Sequence, residues 1–333
     1  MVHQIWENHP EIQRGLEQVK RIMLTEMKMI HPAVREKIVE YMEAPGKYLR
    51  SGLCLLFAQA VDGEMRPEKL YFAAYVEVLH LATLIHDDVI DEADVRRGIR
   101  AAHRQFSNRI AIYAGDYLMA YAARLLAKGI RMQGLEQQET TAVNEKLIEG
   151  ILAGELSQLM NQFNPQMTMK QYLKQIQGKT AFLFGIACQL GALQSTGRIR
   201  KTHQAFQAGR SFGMAFQLRD DLIDYHLTLQ ESGKPALQDI QNGIYTAPLL
   251  FAMEEDSSIR QDLAAIIESS QWDAIDYLLG KMNQTRAKDR TEQLMRAYLA
   301  KMEKYISFVE TKPGVEMDWQ WLVRKILNWS AQS

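Results

Sequence analysis

The sequence predicts an all-α fold: a single domain, residues 1–333, built as a bundle of many helices. Three observations predict it. Apolar residues recur at helical spacing along most of the 333 residues. No run of alternating β-branched residues reads as a strand, and no glycine-rich nucleotide loop follows a strand pattern. Glycine (20) and proline (8) are scarce for a chain this long, as expected of long helices with few turns.

The elements follow in order. Ala44-Pro45-Gly46 breaks the chain before a helix start in which Lys47 and Arg50 stand three apart, and Asp62-Gly63 marks the next turn. Over 70–91 the stripe Ala74, Val78, Leu81, Ile85 steps by four, three and four. After a turn at Gly98, helical patterns run over 118–130 and 145–159. Asn164-Pro165 separates these from a helix over 181–193, with Lys179-Thr180 at its head. Gly197 precedes a helix over 203–225, and Ser232-Gly233-Lys234-Pro235 interrupts the chain before another over 261–279. Lys312-Pro313-Gly314 leads into a C-terminal helix carrying Trp319, Trp321, Arg324, Lys325 and Trp329. That helix suits either a membrane or partner surface or, the reading favoured here, packing onto its own bundle. No linker is long enough to divide the chain.

Composition excludes several classes. The 39 Lys+Arg against 40 Asp+Glu give no basic excess for nucleic acid. An apolar share of 47% is too high for a disordered chain. Cys54 and Cys188 stand in apolar runs and suggest reduced core residues, neither a disulfide framework nor a thiolate metal site. Residues 1–10 carry Glu7, His9 and Asn8 where a secretory signal needs an apolar stretch. The longest uncharged run, 180–197, includes Gln189, Gln194 and three glycines, and falls short of the roughly 20 apolar residues of a membrane span. The expectation is a soluble, cytoplasmic protein with no transmembrane segment.

The chemistry lies in two aspartate clusters. Asp87, Asp88 and Asp91 follow His86, and Asp87 and Asp91 are i,i+4 neighbours on a helix. Three carboxylates in one turn repel unless something neutralises them. A solvated acidic face is the bland reading. It weakens because the same D-D-x-x-D spacing recurs at Asp220, Asp221 and Asp224, one turn after Gln217. Carboxylate-rich, all-oxygen clusters suit a hard cation such as Mg²⁺, which takes one or two carboxylates plus water and substrate phosphate. Two facing clusters would hold a few ions around one diphosphate. Cations accompany them: Arg96 and Arg97 after the first cluster, Lys234 after the second, Lys179 beside Thr180, and Lys47 with Arg50 at a helix start. Singly, each reads as a surface charge. Together they complement one metal-bound diphosphate and leave cations for a second. His86 and His103 read as structural groups beside so many carboxylates.

In this order the motifs resemble the trans-isoprenyl diphosphate synthases of the polyprenyl synthetase family, the heptaprenyl-type members in particular. They are Gly46-Lys47-Tyr48-Leu49-Arg50, the stretch 80–98, and Ala114-Gly115-Asp116-Tyr117-Leu118. Gly154-Glu155 with Gln158 and Gly178-Lys179-Thr180-Ala181 follow, then Phe216-Gln217 with the second cluster, and Gly233-Lys234-Pro235. The resemblance implies an isoprenoid-synthase bundle around a central prenyl-binding cavity. It implies head-to-tail condensation of an allylic diphosphate with isopentenyl diphosphate, giving an all-trans polyprenyl diphosphate. About three Mg²⁺ per active site would be bound by Asp87, Asp91 and Asp220, with Asp88, Asp221 and Asp224 close by. Arg96, Lys179 and Lys234 would contact the allylic diphosphate. Lys47, Arg50, His80 and Arg97 would hold isopentenyl diphosphate. Thr180 and Gln217 would flank the carbocation, with Lys179 beside them.

Product length is implied the same way. Ala82 and Thr83, five and four residues before Asp87, stand where short-chain synthases often carry Tyr or Phe. Five residues at a 1.5 Å rise place Ala82 roughly 7.5 Å along the helix from the cluster. Small residues there leave room for a medium or long chain, about C30 or more, although Ala82 in the apolar stripe would equally allow close approach of a neighbouring helix. Three departures are evident: Tyr48 replaces a frequent Arg, Ile244 replaces a usual Lys before Thr246, and Arg100-Ala101-Ala102-His103 departs from a common Lys-Pro-Thr-x-His form. Family members are usually homodimers, while some long-chain synthases need a dissimilar small subunit. The alternatives are a farnesyl or geranylgeranyl diphosphate synthase, a terpene cyclase, or a regulatory synthase subunit. A cyclase would lack the second diphosphate site, and retention of all six aspartates argues against a purely regulatory chain.

Overall fold

The computed structural model describes residues 4–29, 31–135, 137–194, 199–226, 238–270, 274–309, 311–315, 317 and 319–326. Gly197, the segment with Ser232, Gly233, Lys234 and Pro235, and Trp329 lie outside them. In chain order the helices are α1 (Pro10–Thr25), α2 (Pro32–Glu43), α3 (Leu49–Asp62), α4 (Pro67–Ile90), α5 (Ala102–Gln105), α6 (Asn108–Gln133), α7 (Gln137–Asn161) and α8 (Met169–Ile176). A π-helical turn, Gln177–Ala181, joins α8 to α9 (Phe182–Ala192). Then come α10 (Ile199–His226), α11 (Gln238–Gln241), α12 (Ala247–Glu255), α13 (Ser257–Ser269), α14 (Ile275–Met282), α15 (Ala287–Ile306) and α16 (Trp319–Ile326). The sheet among the described residues is one small hairpin, Val95–Arg96 (β1) against Ile99–Arg100 (β2). The all-α expectation holds.

The chain forms two compact units, one of Met1–Lys146, Ile186–Phe206 and Ser307–Ser333, the other of Leu147–Gly185 and Gln207–Ile306. The first is organised on α4. Pro67 starts it, where a missing N–H costs nothing, and no Gly or Pro interrupts its 24 residues. It ends where Glu92 turns left-handed at φ 50. Phe72, Tyr75, Val76, Val78, Leu79, Leu81 and Ile85 are all buried, each contributing roughly 1.5–3 kcal/mol. Helix α6 lies antiparallel against it: Gly115 sits under the His86 ring, and Gly129 under Phe72. Lys69, also on α4, is buried. Its ammonium bonds the carbonyls of Gly191 (3.0 Å) and Leu193 and pairs with Asp62 at 3.5 Å, which closes the C-terminal end of α9. In α16, Trp321 is buried with its ring 4.1 Å from His9 and 5.7 Å from Trp6, so that helix packs on its own unit through this residue.

In the second unit α8 opens with a capping box, Thr168 bonding the Gln171 amide while Gln171 reaches back to the Thr168 amide. Phe184, Phe212 and Phe216 cluster at 5.3–6.3 Å. Two expectations need correction. Lys179 and Thr180 do not head a helix; they lie in the π turn between α8 and α9. The helix expected over 261–279 is broken, because Ser270 closes α13 in the left-handed region at φ 54 and α14 begins at Ile275. Nine residues separate Ile266 from Ile275, which would put them about half a turn apart on one continuous helix, and the break lets both be buried.

Candidate active site

The α2–α3 junction builds a basic cradle. Pro45, Gly46, Lys47, Tyr48, Leu49 and Arg50 line a pocket of about 270 Å³ with Glu77, His80 and Arg97. Tyr48, at φ 49, turns the chain into α3. A non-glycine residue there costs roughly 1–2 kcal/mol. Two bonds hold it: its hydroxyl donates to the Met42 carbonyl (3.0 Å), and Ser51 donates to its own carbonyl (3.2 Å). Trp6 donates to the Lys47 carbonyl at 2.8 Å. Gly46 leaves room for Arg97, since a Cβ there would meet its Nη1 at 3.0 Å. The buried Tyr48 ring thus serves as wall and hinge where a frequent Arg would add charge.

The electrostatics of the cradle favour an anion. Lys47, Arg50 and Arg97 outnumber the single carboxylate, Glu77, which accepts from Ser51 at 2.9 Å. Arg50 Nη1 lies 3.1 Å from His80 Nε2. Arginine only donates, so Nε2 accepts and the imidazole is neutral. Burial and the charges of Arg50, Arg97 and Arg96 hold His80 well below the usual histidine range. All four residues expected to hold isopentenyl diphosphate therefore meet in one pocket at a helix N-terminus.

At the end of α4 the three aspartates divide. Asp88 is buried at 1% exposure, and Arg96 donates to its Oδ1 from both Nε and Nη2 at 2.6 Å. Tyr41 donates to Asp88 Oδ2 at 3.5 Å and accepts from the Ala102 amide at 2.8 Å, tying the segment after the hairpin to the cluster. Asp87 is half-buried and Asp91 exposed. His86 points to the Ile112 carbonyl (3.1 Å) and Asp116 (3.3 Å), which explains the Gly115-Asp116 motif and fits its structural reading. His103 is also buried.

The second cluster divides the same way. Asp221 is buried, takes Tyr172 Oη and the Ala247 amide (3.5 Å) on Oδ2 and Gln217 Nε2 (3.1 Å) on Oδ1. Burial pushes its carboxyl up to about 7 against these hydrogen bonds. Asp220 and Asp224 are partly exposed, with Arg219 3.1 Å from Asp220. Thr180 donates to Gln217 Oε1 at 2.8 Å. Lys179 pairs with Glu155 at 2.8 Å. The π turn that presents Lys179 and Thr180 packs backbone to backbone on α7: a Cβ on Gly154 would meet Gly178 C at 2.7 Å and, closer still, the Lys179 amide nitrogen. Such turns recur at functional sites.

Among the described residues no three His, Cys, Asp or Glu side chains converge as a metal cage. Each cluster instead leaves two carboxylates less buried than the middle one, the complement Mg²⁺ uses alongside substrate phosphates. The donor set fits on that basis. Asp88 and Asp221 differ from the expectation in being committed to protein partners. Arg96 and Lys179 are likewise held, by Asp88 and Glu155. Ala82 is fully buried and Thr83, half-buried, donates to the His80 carbonyl at 2.8 Å. Lys234 lies outside the described residues. Sequence reasoning missed Tyr41, Glu77 and Tyr172; tyrosines within apolar helices give no signal of the carboxylates they meet.

The model of the polyprenyl synthetase family matches residues 31–282. Heptaprenyl diphosphate synthase component 2 of Bacillus subtilis (strain 168) is 30% identical over 291 residues, covering 87% of this chain and 79% of its own. The crystal structure of heptaprenyl diphosphate synthase from Staphylococcus aureus superposes with a TM-score of 0.85 at 25% identity, covering 96% of this chain and 98% of the other. Polyprenyl synthase from Caulobacter crescentus CB15, crystallised with calcium and isoprenyl diphosphate, superposes at 0.80 with 26% identity, covering 98% and 95%.

Proposed function

Because the chain belongs to the polyprenyl synthetase family, we propose that it condenses an allylic diphosphate with isopentenyl diphosphate, head to tail, into an all-trans polyprenyl diphosphate. The two heptaprenyl relatives support a medium- or long-chain product, about C30 or more. The observation that carries the reading is the cradle of Lys47, Arg50, His80 and Arg97. None of Asp87, Asp88 and Asp91 lines it, which supports a second diphosphate site that a cyclase acting on one diphosphate does not need.

Lys47, Arg50 and Arg97 bind isopentenyl diphosphate through charge-assisted hydrogen bonds. Neutral His80 orients Arg50. Asp87, Asp91, Asp220 and Asp224 hold about three Mg²⁺ per active site, and Asp88 and Asp221 brace them. When bound, Mg²⁺ neutralises charge on the diphosphate leaving group. The calcium and isoprenyl diphosphate of the Caulobacter structure support divalent-metal binding. Arg96, Lys179 and Lys234 bind the allylic diphosphate, the first two exchanging or sharing their present carboxylates. Thr180 and Gln217 present oxygen dipoles to the cation that forms as the allylic C–O bond breaks. The isopentenyl double bond supplies the electrons of the new C–C bond, and the proton leaves to the departed diphosphate. Ala82 and Thr83 limit chain growth.

A single domain over 1–333 belongs to this reading, since each compact unit is assembled from separate stretches of chain. So do a cytoplasmic location and a homodimer. No described helix is long and apolar enough to cross a membrane. The Bacillus relative is named as one component of its synthase, so a dissimilar subunit is the alternative to a second copy. Purified chain with farnesyl diphosphate, labelled isopentenyl diphosphate and Mg²⁺ should yield labelled polyprenyl product, and EDTA should abolish it. Olefin release from farnesyl diphosphate alone would identify a cyclase. An inactive chain that resists rescue by Mg²⁺ would refute the proposal for the chain acting alone.

A further inference from the structure

We infer that Tyr172 is a positioning residue for this reaction: through Asp221 and Gln217 it fixes which way the Thr180 hydroxyl points. The inference rests on the reading of Thr180 and Gln217 as the groups beside the cation, and adds to that reading a residue seven positions before Lys179.

Tyr172 is buried on α8, whose start is fixed by the Thr168–Gln171 capping box. Its hydroxyl meets Asp221 Oδ2. The phenol donates to that oxygen. Asp221 Oδ1 receives Gln217 Nε2 at 3.1 Å. With its nitrogen on Asp221, the Gln217 amide turns its oxygen to Thr180, 2.8 Å away. Thr180 has one proton and spends it on that oxygen. Its lone pairs are left as the polar face of the hydroxyl, the polarity that stabilises positive charge.

Removing the Tyr172 hydroxyl leaves Asp221 Oδ2 with the Ala247 amide at 3.5 Å, a weak tether. The carboxylate then turns more freely and the Gln217 amide can flip. A flipped amide donates to Thr180, whose proton must point elsewhere, so the dipole beside the cation weakens or reverses. The chain of four groups has one polarity only while its buried end is anchored.

Tyr172→Phe keeps the ring and deletes the anchor. We expect kcat for condensation to fall about tenfold or more, with the KM for isopentenyl diphosphate within twofold of wild type. In a Gln217→Leu background, which has no amide to orient, Tyr172→Phe should cause no further loss. A merely structural role would give the same loss in both backgrounds, and that result would overturn the inference, as would a Tyr172→Phe enzyme as fast as wild type. Circular dichroism accompanies each variant. Should Tyr172→Phe fail to fold, Gln217→Glu carries the test: a carboxylate cannot donate to Asp221, so kcat should fall tenfold at unchanged KM, and an unchanged kcat overturns the inference. An inactive wild-type chain would overturn the functional reading together with this one, whereas active wild type with equally active Tyr172→Phe overturns this one alone.

Discussion

Gly154→Ala probes how tightly the π turn is held against α7. A methyl group at 154 would lie 2.7 Å from Gly178 C and 2.9 Å from Gly178 Cα, against 3.4–4 Å for an ordinary contact. Both neighbours are backbone, so no side chain can swing aside. The helix and the turn must part by at least about 0.7 Å, and further at the Lys179 amide nitrogen, which lies closer still. Overpacking of this kind costs about 1–3 kcal/mol. Alanine returns about 1 kcal/mol of helix propensity. The net destabilisation is then roughly 0–2 kcal/mol, small enough for the fold to survive. The catalytic effect is larger, because a misplacement of about 1 Å costs on the order of 100-fold. Lys179 and Thr180 ride on the displaced turn, so kcat should fall roughly 10- to 100-fold. Steady-state incorporation of labelled isopentenyl diphosphate, with denaturant unfolding on the same preparation, measures both quantities. A folded Gly154→Ala enzyme with kcat within twofold of wild type would refute the reasoning.

Three further outcomes follow from named contacts. Arg50→Ala should raise the KM for isopentenyl diphosphate about 10- to 150-fold, the worth of one charge-assisted contact, and leave that for the allylic substrate nearly unchanged; equal effects would show the cradle is misassigned. Asp88→Ala strands Arg96 and Tyr41 and should cost about 1–3 kcal/mol of stability, whereas Asp87→Ala should cut turnover by orders of magnitude at nearly unchanged stability; the reverse pattern, read by unfolding and activity side by side, would contradict the division of the cluster. Ala82→Tyr should shorten the product toward C15 or C20 by chromatography, and a folded variant with an unchanged product would place the limit to chain growth elsewhere.

The helices were legible because apolar spacing and turn residues agree along the chain. Helix α4 follows its expected stripe almost end to end, and the cradle residues meet as their motif suggested. What sequence could not show is which aspartate of each cluster turns inward. A step of 100° per residue separates Asp87 from Asp88, but burying a carboxylate requires a partner, and the partners come from Tyr41, Arg96 and Tyr172. Those contacts are set by packing. The π turn was hidden as well: α8 and α9 run on either side of it without a loop, so Lys179-Thr180 read as the head of the second helix. The break at Ser270 was hidden by apolar residues on both sides of it, and only burial reveals it: Ile266 and Ile275 are both buried although one continuous helix would hold them about half a turn apart.

The central claim is that the chain joins two diphosphates at two sites, and stoichiometry tests it most directly. Inorganic diphosphate released by the purified chain should equal the isopentenyl diphosphate consumed, one for one, over the whole time course. With Mg²⁺ and the allylic substrate alone, release should be negligible. Release at full rate without isopentenyl diphosphate, or none with both substrates present, would contradict the account.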